Sequence, residues 1–108
     1  MAQDFVRYTA QATTSATNIF TADSKDAVIG IRVTNTTAGT ITIDVFVTIT
    51  GPTNRYIAKS LSIPSSSSVE LVTGGAKFVM ESTDILKVQS DTATSADVYV
   101  SVVDSISA

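Results

Sequence analysis

The chain has 108 residues, with no His, Cys or Trp, and its 7 basic and 10 acidic residues give a net charge of -3. Cys/His zinc sites, thiol catalysis, haem ligation by His or Cys and Ser-His-Asp hydrolysis are therefore excluded. Lys and Arg are scattered singly, so neither nucleic acid nor an anionic membrane is an expected partner.

Alternating apolar and polar residues predict strands along most of the chain. In chain order they fall at 5–9, 18–21, 27–36, 40–50, 55–60 with an extension to 63, 69–72, 77–81, 85–90 and 96–105. Thr, Val and Ile fill 40 of the 108 positions, and these β-branched residues favour strands over helices. Eight or nine short strands separated by turn residues are typical of a sandwich or barrel. We therefore predict an all-β, single-domain antiparallel β-sandwich of about eight strands, Ig-like or jelly-roll.

The longest alternating segment, 40–50, places five apolar residues on one face, with Phe46 on the polar face as an exposed anchor. The preceding segment, 27–36, places Ile29, Ile31 and Val33 on one face. Because only the turn residues 36–39 separate the two segments, they are predicted to form a hairpin.

Two parts of the chain are distinguished by their composition. Residues 1–16 are predicted to be an N-terminal strand and arm, because their polar linker can build little core, and 17–108 form the sandwich domain. Residues 1–7 lack the basic and apolar regions of a signal peptide, so we expect synthesis in the cytoplasm. The triplet Asn35-Thr36-Thr37 fits a glycosylation sequon, which a Thr-rich chain produces easily.

The carboxylates carry the only plausible catalytic or metal chemistry. Glu70 and Glu81 are the sole glutamates and could act as a glycosidase pair if they lay about 5–9.5 Å apart. Such an enzyme needs a substrate groove lined with aromatic residues, and the chain has no Trp and only three Tyr, so we expect solvent-facing carboxylates and no catalytic residue.

Two acidic loops offer the oxygen ligands that Ca²⁺ prefers. Asp23 and Asp26 lie in one loop, and Asp91 and Asp97 bracket another. The spacing of a calcium-binding loop is missing, and Lys25 would oppose a cation. We therefore predict no metal and no cofactor.

Exposed aromatic residues are the best candidates for a contact surface. Phe20 and Phe78 are expected in the core. The candidate interface residues are Phe5, Tyr8, Phe46, Tyr56 and Tyr99. Ser and Thr total 31 residues and charged residues only 17, and such a weakly charged surface suits packing against many copies of itself or of a partner.

Six segments together resemble small virion structural proteins of tailed bacteriophages, notably those of cyanobacterial and marine hosts. They are Arg7-Tyr8-Thr9, Asn18-Ile19-Phe20-Thr21, residues 27–31, residues 33–37, Ile85-Leu86-Lys87-Val88 and residues 95–102. The resemblance spans nearly the whole chain and implies a non-enzymatic β-sandwich, made in the host cytoplasm and located in the virion.

The expected function is that of a capsid decoration or cement protein that stabilises the head shell. Its partners would be the major capsid protein or other virion proteins, and its own copies in a homo-oligomer, with a trimer favoured because it matches local threefold positions. A neck, tail, baseplate or fibre-attachment component is the alternative of the same class. From other classes, a carbohydrate-binding module would use Tyr56 and Tyr99 as platforms with loop Asp residues, and a small hydrolase ranks last.

Overall fold

The computed structural model describes residues 4–50, 52–72 and 77–104, which form nine β-strands. They are β1 (Asp4–Ala12), β2 (Thr17–Thr21), β3 (Asp26–Asn35), β4 (Ile41–Ile49), β5 (Thr53–Ile63), β6 (Ser68–Glu70), β7 (Phe78–Met80), β8 (Ile85–Ser90) and β9 (Ala96–Asp104). The described residues contain no helix that could cross a bilayer. Residue 105 of the strand predicted at 96–105 lies outside the described residues.

The strands form two antiparallel sheets, and the predicted β-sandwich is confirmed. One sheet has the order β1-β9-β3-β6, with β7 also paired to β3; the other has the order β2-β8-β4-β5. We call them the β1 sheet and the β2 sheet, and the outer face of each is the one turned away from the other sheet.

The strand order is that of a jelly roll. The short strands β6 and β7 pair with different parts of the same edge of β3, and so act as one interrupted strand. Counted in this way, the first of eight strands pairs with the last, the second with the seventh, the third with the sixth, and the fourth with the fifth. This nested pairing is a double Greek key. Of the two predicted topologies, the jelly roll is therefore the one observed.

The predicted hairpin between residues 27–36 and 40–50 is wrong. The two segments form β3 and β4, but β3 lies in the β1 sheet whereas β4 pairs with β5 and β8 in the other. Each strand buries one face against the same core, so its alternation is the same whether its chain neighbour lies beside it or across the sandwich. The short turn at 36–39 carries the chain from one sheet to the other.

Residues 4–12 of the predicted N-terminal strand and arm are part of the sandwich. They form β1, which pairs with β9 from Asp4↔Asp104 to Ala12↔Ala96. The ring of Tyr8 stacks on the ring of Phe20 in β2, with 4.2 Å between the ring centroids, and so connects the two sheets. Residues 1–3 lie outside the described part of the chain.

The core between the sheets follows the predicted alternation in β4 and β9, whereas a bulge changes it in β3. Residues Ile41, Ile43, Val45 and Val47 of β4 are buried, as are Phe20 of β2 and the inward residues of β9. In β3 the register shifts between Val28 and Gly30, which leaves Ile29 as an extra, half-buried residue. Val28 therefore joins the core together with Ile31 and Val33, and the prediction that Ile29 lies on their face is wrong.

Candidate interaction surface

The five predicted interface residues differ in their exposure and position. Phe5 (82% exposed) and Tyr99 (50% exposed) lie on the outer face of the β1 sheet, and Tyr56 (46% exposed) lies on that of the β2 sheet. Tyr8 is half-buried and packs against the core. Because Tyr56 and Tyr99 occupy opposite faces of the sandwich, they cannot act together as platforms for one glycan.

Phe46 is buried, with only 4% of its surface exposed, so the expectation of an exposed anchor is wrong. It lies directly opposite Tyr56 in the β4–β5 register, and the two ring centroids are 5.1 Å apart. Lys59 Nζ lies 4.8 Å from the centroid of the Tyr56 ring. Phe46 is thus covered on the outside of its sheet by a neighbouring strand, which its position on the polar side of the alternation does not reveal.

Four apolar residues form a continuous row across the outer face of the β1 sheet. Phe5 of β1 is paired with Val103 of β9, Val103 with Ala27 of β3, and Ala27 with Val79 of β7. Directly opposed residues of antiparallel strands have their side chains on the same face. Val79 is 56% exposed, so both ends of this apolar row are open to solvent.

The sequence carries a signal for Val79. In 77–81, alternation places Phe78 and Met80 on one face and Val79 on the other, and the structure buries Met80 while it exposes Val79. Phe5, Val79 and Tyr99 are thus three of the four exposed large apolar residues in the described part of the chain, and all three lie on one sheet face.

Polar residues occupy the other end of this face. One row contains Thr9, Tyr99, Arg32 and Glu70, and the next contains Gln11, Asp97, Thr34 and Ser68. Six of these eight residues line a shallow hollow of about 660 Å³. An exposed ring, a guanidinium and a carboxylate share this hollow, which gives it the mixed polar and apolar chemistry of a protein contact surface.

The two glutamates do not form a catalytic pair. Glu70 lies opposite Arg32 in β3, whereas Glu81 follows Met80, which lies opposite Asp26. Six residues of strand correspond to roughly 20 Å, well beyond the separation that a glycosidase needs.

Each glutamate has a structural partner instead. Glu70 Oε2 accepts hydrogen bonds from Ile31 N at 2.8 Å and Val72 N at 3.3 Å, where β6 has ended. Glu81 lies 3.1 Å from Lys25 Nζ in an exposed ion pair. Glu70 therefore satisfies backbone N–H groups at an interrupted sheet edge.

Three carboxylates meet at one end of the sandwich. Oxygen atoms of Asp23, Asp26 and Asp104 lie within 4.8 Å of one another, and Ser24 Oγ lies 3.2–3.3 Å from one oxygen of each. The fold thus brings Asp104 to the two aspartates that the sequence picks out. Acidic clusters of this kind are common without an ion, and we assign it no ligand.

The acidic cluster affects Tyr8. Burial raises the pKa of the Tyr8 hydroxyl above its ordinary value of 10.0, and the nearby charges of Asp104, Asp26 and Asp23 raise it further. The hydroxyl therefore keeps its proton at neutral pH.

Comparison with known proteins identifies the fold but no family. No family model matches the chain, and no curated protein sequence matches it. A chain from the structure of Bacillus endospore appendages, described as disulfide-linked pili, is 18% identical with a TM-score of 0.53 over 94% of this chain and 83% of that one.

Two viral particle structures contain a similar domain. A chain of the T13 particle of infectious bursal disease virus is 12% identical with a TM-score of 0.57, over 94% of this chain and 31% of that one. A chain of the Gx strain of the same virus is 12% identical with a TM-score of 0.51, over 98% of this chain and 32% of that one. This chain therefore spans about a third of the viral chains that it matches. At such identities the likeness shows a shared fold, the β-sandwich described above.

Proposed function

We propose that this chain is a non-enzymatic structural subunit of a virion, and more specifically a decoration or cement protein on the head of a tailed bacteriophage. The observation that carries the proposal is the outer face of the β1 sheet, where Phe5, Val79 and Tyr99 are exposed together. A surface of this kind on a chain without His or Cys is suited to contact with other proteins rather than to chemistry.

The fold comparisons support a role in assembly. The similar chains come from pili and from viral particles, both built from many copies of their subunits. This chain has no cysteine, so the disulfide linkage described for the pili cannot operate here. Its copies would have to be held by contacts other than disulfide bonds.

The proposed mechanism is burial of exposed sheet surface against neighbouring subunits. A stable interface of ordinary size covers about 1,200–2,000 Å² in total, and each such contact across a junction resists separation of the shell. Low surface charge lowers the desolvation cost of such contacts. The same mechanism would serve a neck, tail or baseplate component. The location and copy number of the chain in the particle distinguish these components from a cement protein on the head.

The test is to locate and count the chain in purified particles of the phage that encodes it. Cryo-electron microscopy gives its position and quantitative mass spectrometry gives its copies relative to the major capsid protein. On the order of hundreds of copies on the head support a cement protein, as expected for icosahedral symmetry. About six to twelve copies at one vertex would move the chain to the neck or tail. Absence from purified particles would overturn the proposal altogether.

A further inference from the structure

We propose that the outer face of the β1 sheet binds a second copy of this chain, about a two-fold axis that lies between β9 and β3 and runs close to the strand direction. The purpose of this pairing rests on the proposed role in assembly. The pairing itself follows from the surface of one chain and is tested on the isolated protein. An interface about a two-fold axis must be complementary to itself.

The apolar row satisfies this condition. Rotation about the proposed axis exchanges the β1 edge with the β7 edge and β9 with β3, while each row keeps its place along the strands. Phe5 of one copy then faces Val79 of the other, and Val103 faces Ala27. Both contacts occur twice in the dimer, so the four apolar residues of each copy are buried against those of the other and are removed from water.

The charged row satisfies the same condition. Its order across the sheet is Thr9, Tyr99, Arg32 and Glu70, so the rotation places Arg32 over Tyr99 and Glu70 over Thr9. The Arg32 side chain is 61% exposed, and a guanidinium over the face of a tyrosine ring is attractive. In the next row Asp97 faces Thr34, so no charged residue in these rows faces a like charge.

Other ways to pair this face fit less well. A two-fold axis perpendicular to the strands would place the apolar row on the row that contains Gln11, Asp97 and Thr34, and would bury a carboxylate against apolar side chains. On the outer face of the β2 sheet, Tyr56 is the single exposed large apolar residue among those described. The proposed axis therefore gives the best match of apolar to apolar and of charged to polar groups.

The size of the face sets the expected affinity. Four strands spaced by about 4.8 Å and nine residues of about 3.3 Å give a face of roughly 20 × 30 Å, or about 600 Å² in projection. A standard interface uses about 800 Å² of accessible surface from each partner, so the face supplies an interface at the lower end of the stable class. We expect a dimer with a dissociation constant in the micromolar range.

The test compares two single variants, F5E and V79K, alone and mixed, by sedimentation velocity over a concentration series. The wild-type chain is expected at twice its mass of 11.3 kDa at high concentration. Each variant alone places a charge against an apolar residue in both Phe5–Val79 contacts and is expected to weaken the dimer at least tenfold. In the mixture, the introduced carboxylate of F5E faces the introduced ammonium of V79K, so a mixed dimer is expected to form more tightly than either variant alone.

The controls separate the interface from the fold. T53E adds the same negative charge as F5E, but at an exposed position of the β2 sheet, and is expected to dimerise like the wild type. Phe5 and Val79 are both exposed, so circular dichroism should show wild-type folding for both variants. A monomer or a trimer at high micromolar concentration overturns the two-fold pairing, as does an F5E dimer of wild-type affinity or a mixture with no recovery. None of these results bears on whether the chain is found in the virion, which the particle experiment decides separately.

Discussion

At the scale of single residues, Asn35 is the buried amide that holds the β3–β4 turn to the end of β5. Its Nδ2 donates to the carbonyl oxygens of Gly39 (2.8 Å), Ile63 (2.9 Å) and Pro64 (3.1 Å), and its Oδ1 accepts from Thr37 N at 2.8 Å. Asn35 is fully buried, so the folded chain has no room for a glycan at this sequon. The residue that fits a modification motif therefore has a structural role.

Asn35→Ala is expected to lower the free energy of unfolding by about 2–4 kcal/mol, because buried carbonyl oxygens lose their donor. Urea denaturation followed by circular dichroism measures the loss. Asn54→Ala is the matched control, since Asn54 is exposed and its side chain accepts a hydrogen bond from the exposed Thr48 hydroxyl, and a change within about 0.5 kcal/mol is expected. Equal losses for the two variants would contradict the role given to Asn35.

Tyr8 gives the fold a dependence on alkaline pH. Its pKa is raised by burial and by the carboxylates of Asp104, Asp26 and Asp23, so above about pH 10 the unfolded chain releases this proton while the folded chain keeps it. The unfolded state then binds fewer protons, and stability falls as the pH rises. We expect the free energy of unfolding, measured by urea denaturation, to fall less for Tyr8→Phe than for the wild type as the pH rises from about 8 to about 11. Identical slopes for the two proteins would show that Tyr8 does not titrate in this way.

At the scale of strands, Asp44 holds the bulge in the long β4–β5 pair. Ile43 lies opposite Leu61 and Val45 opposite Ala58, so Asp44 faces two residues of β5. One of them, Ser60, has a positive φ of 54°, and its N–H donates to Asp44 Oδ1 at 2.7 Å. The carboxylate thus replaces a ladder hydrogen bond that the bulge removes.

Asp44→Ala is expected to destabilise the fold by about 1–2 kcal/mol, because the Ser60 N–H loses its acceptor. Asp44 also pairs with Lys59 at 3.3 Å, and Lys59→Met removes this exposed ion pair and the contact of Lys59 with the Tyr56 ring but keeps the Ser60–Asp44 bond, with an expected loss of about 1 kcal/mol or less. Thermal denaturation of both variants separates the two contributions. A larger loss for Lys59→Met than for Asp44→Ala would show that the ion pair, rather than the backbone bond, holds the bulge.

Strand positions follow from the sequence because alternation depends on local contacts with one core. The pairing partners of the strands do not follow from the sequence. The alternation in β3 and β4 is the one that two strands of a hairpin would show, but the two strands lie in different sheets. The bulges at Ile29 and Asp44 also shift the register without a change in the pattern of apolar residues. The apolar row depends on pairs such as Phe5 and Val103 at opposite ends of the chain, so the candidate surface emerges only once the strand order is known.

At the scale of the whole molecule, the nested pairing makes the two ends of the chain mutually dependent. β1 covers one edge of β9, and β9 holds the fully buried residues Val98, Val100 and Val102 at the centre of its sheet. Tyr8 of β1 also stacks on Phe20 across the core. Without β1, a central strand becomes an edge and part of the core is opened to water.

We therefore expect a chain of residues 17–108, the predicted sandwich domain, to lose the cooperative thermal transition of the full chain. Circular dichroism during heating measures this, and a chain of residues 4–108 is the matched control, expected to keep the transition because it retains every pair from Asp4↔Asp104 onward. A synthetic peptide of residues 4–12 should restore folding of the shortened chain in trans, since it supplies the missing strand and the Tyr8 ring. If residues 17–108 melt as cooperatively as the full chain without the peptide, the first 16 residues act as a dispensable arm, and their pairing with β9 adds little to the stability of the sandwich.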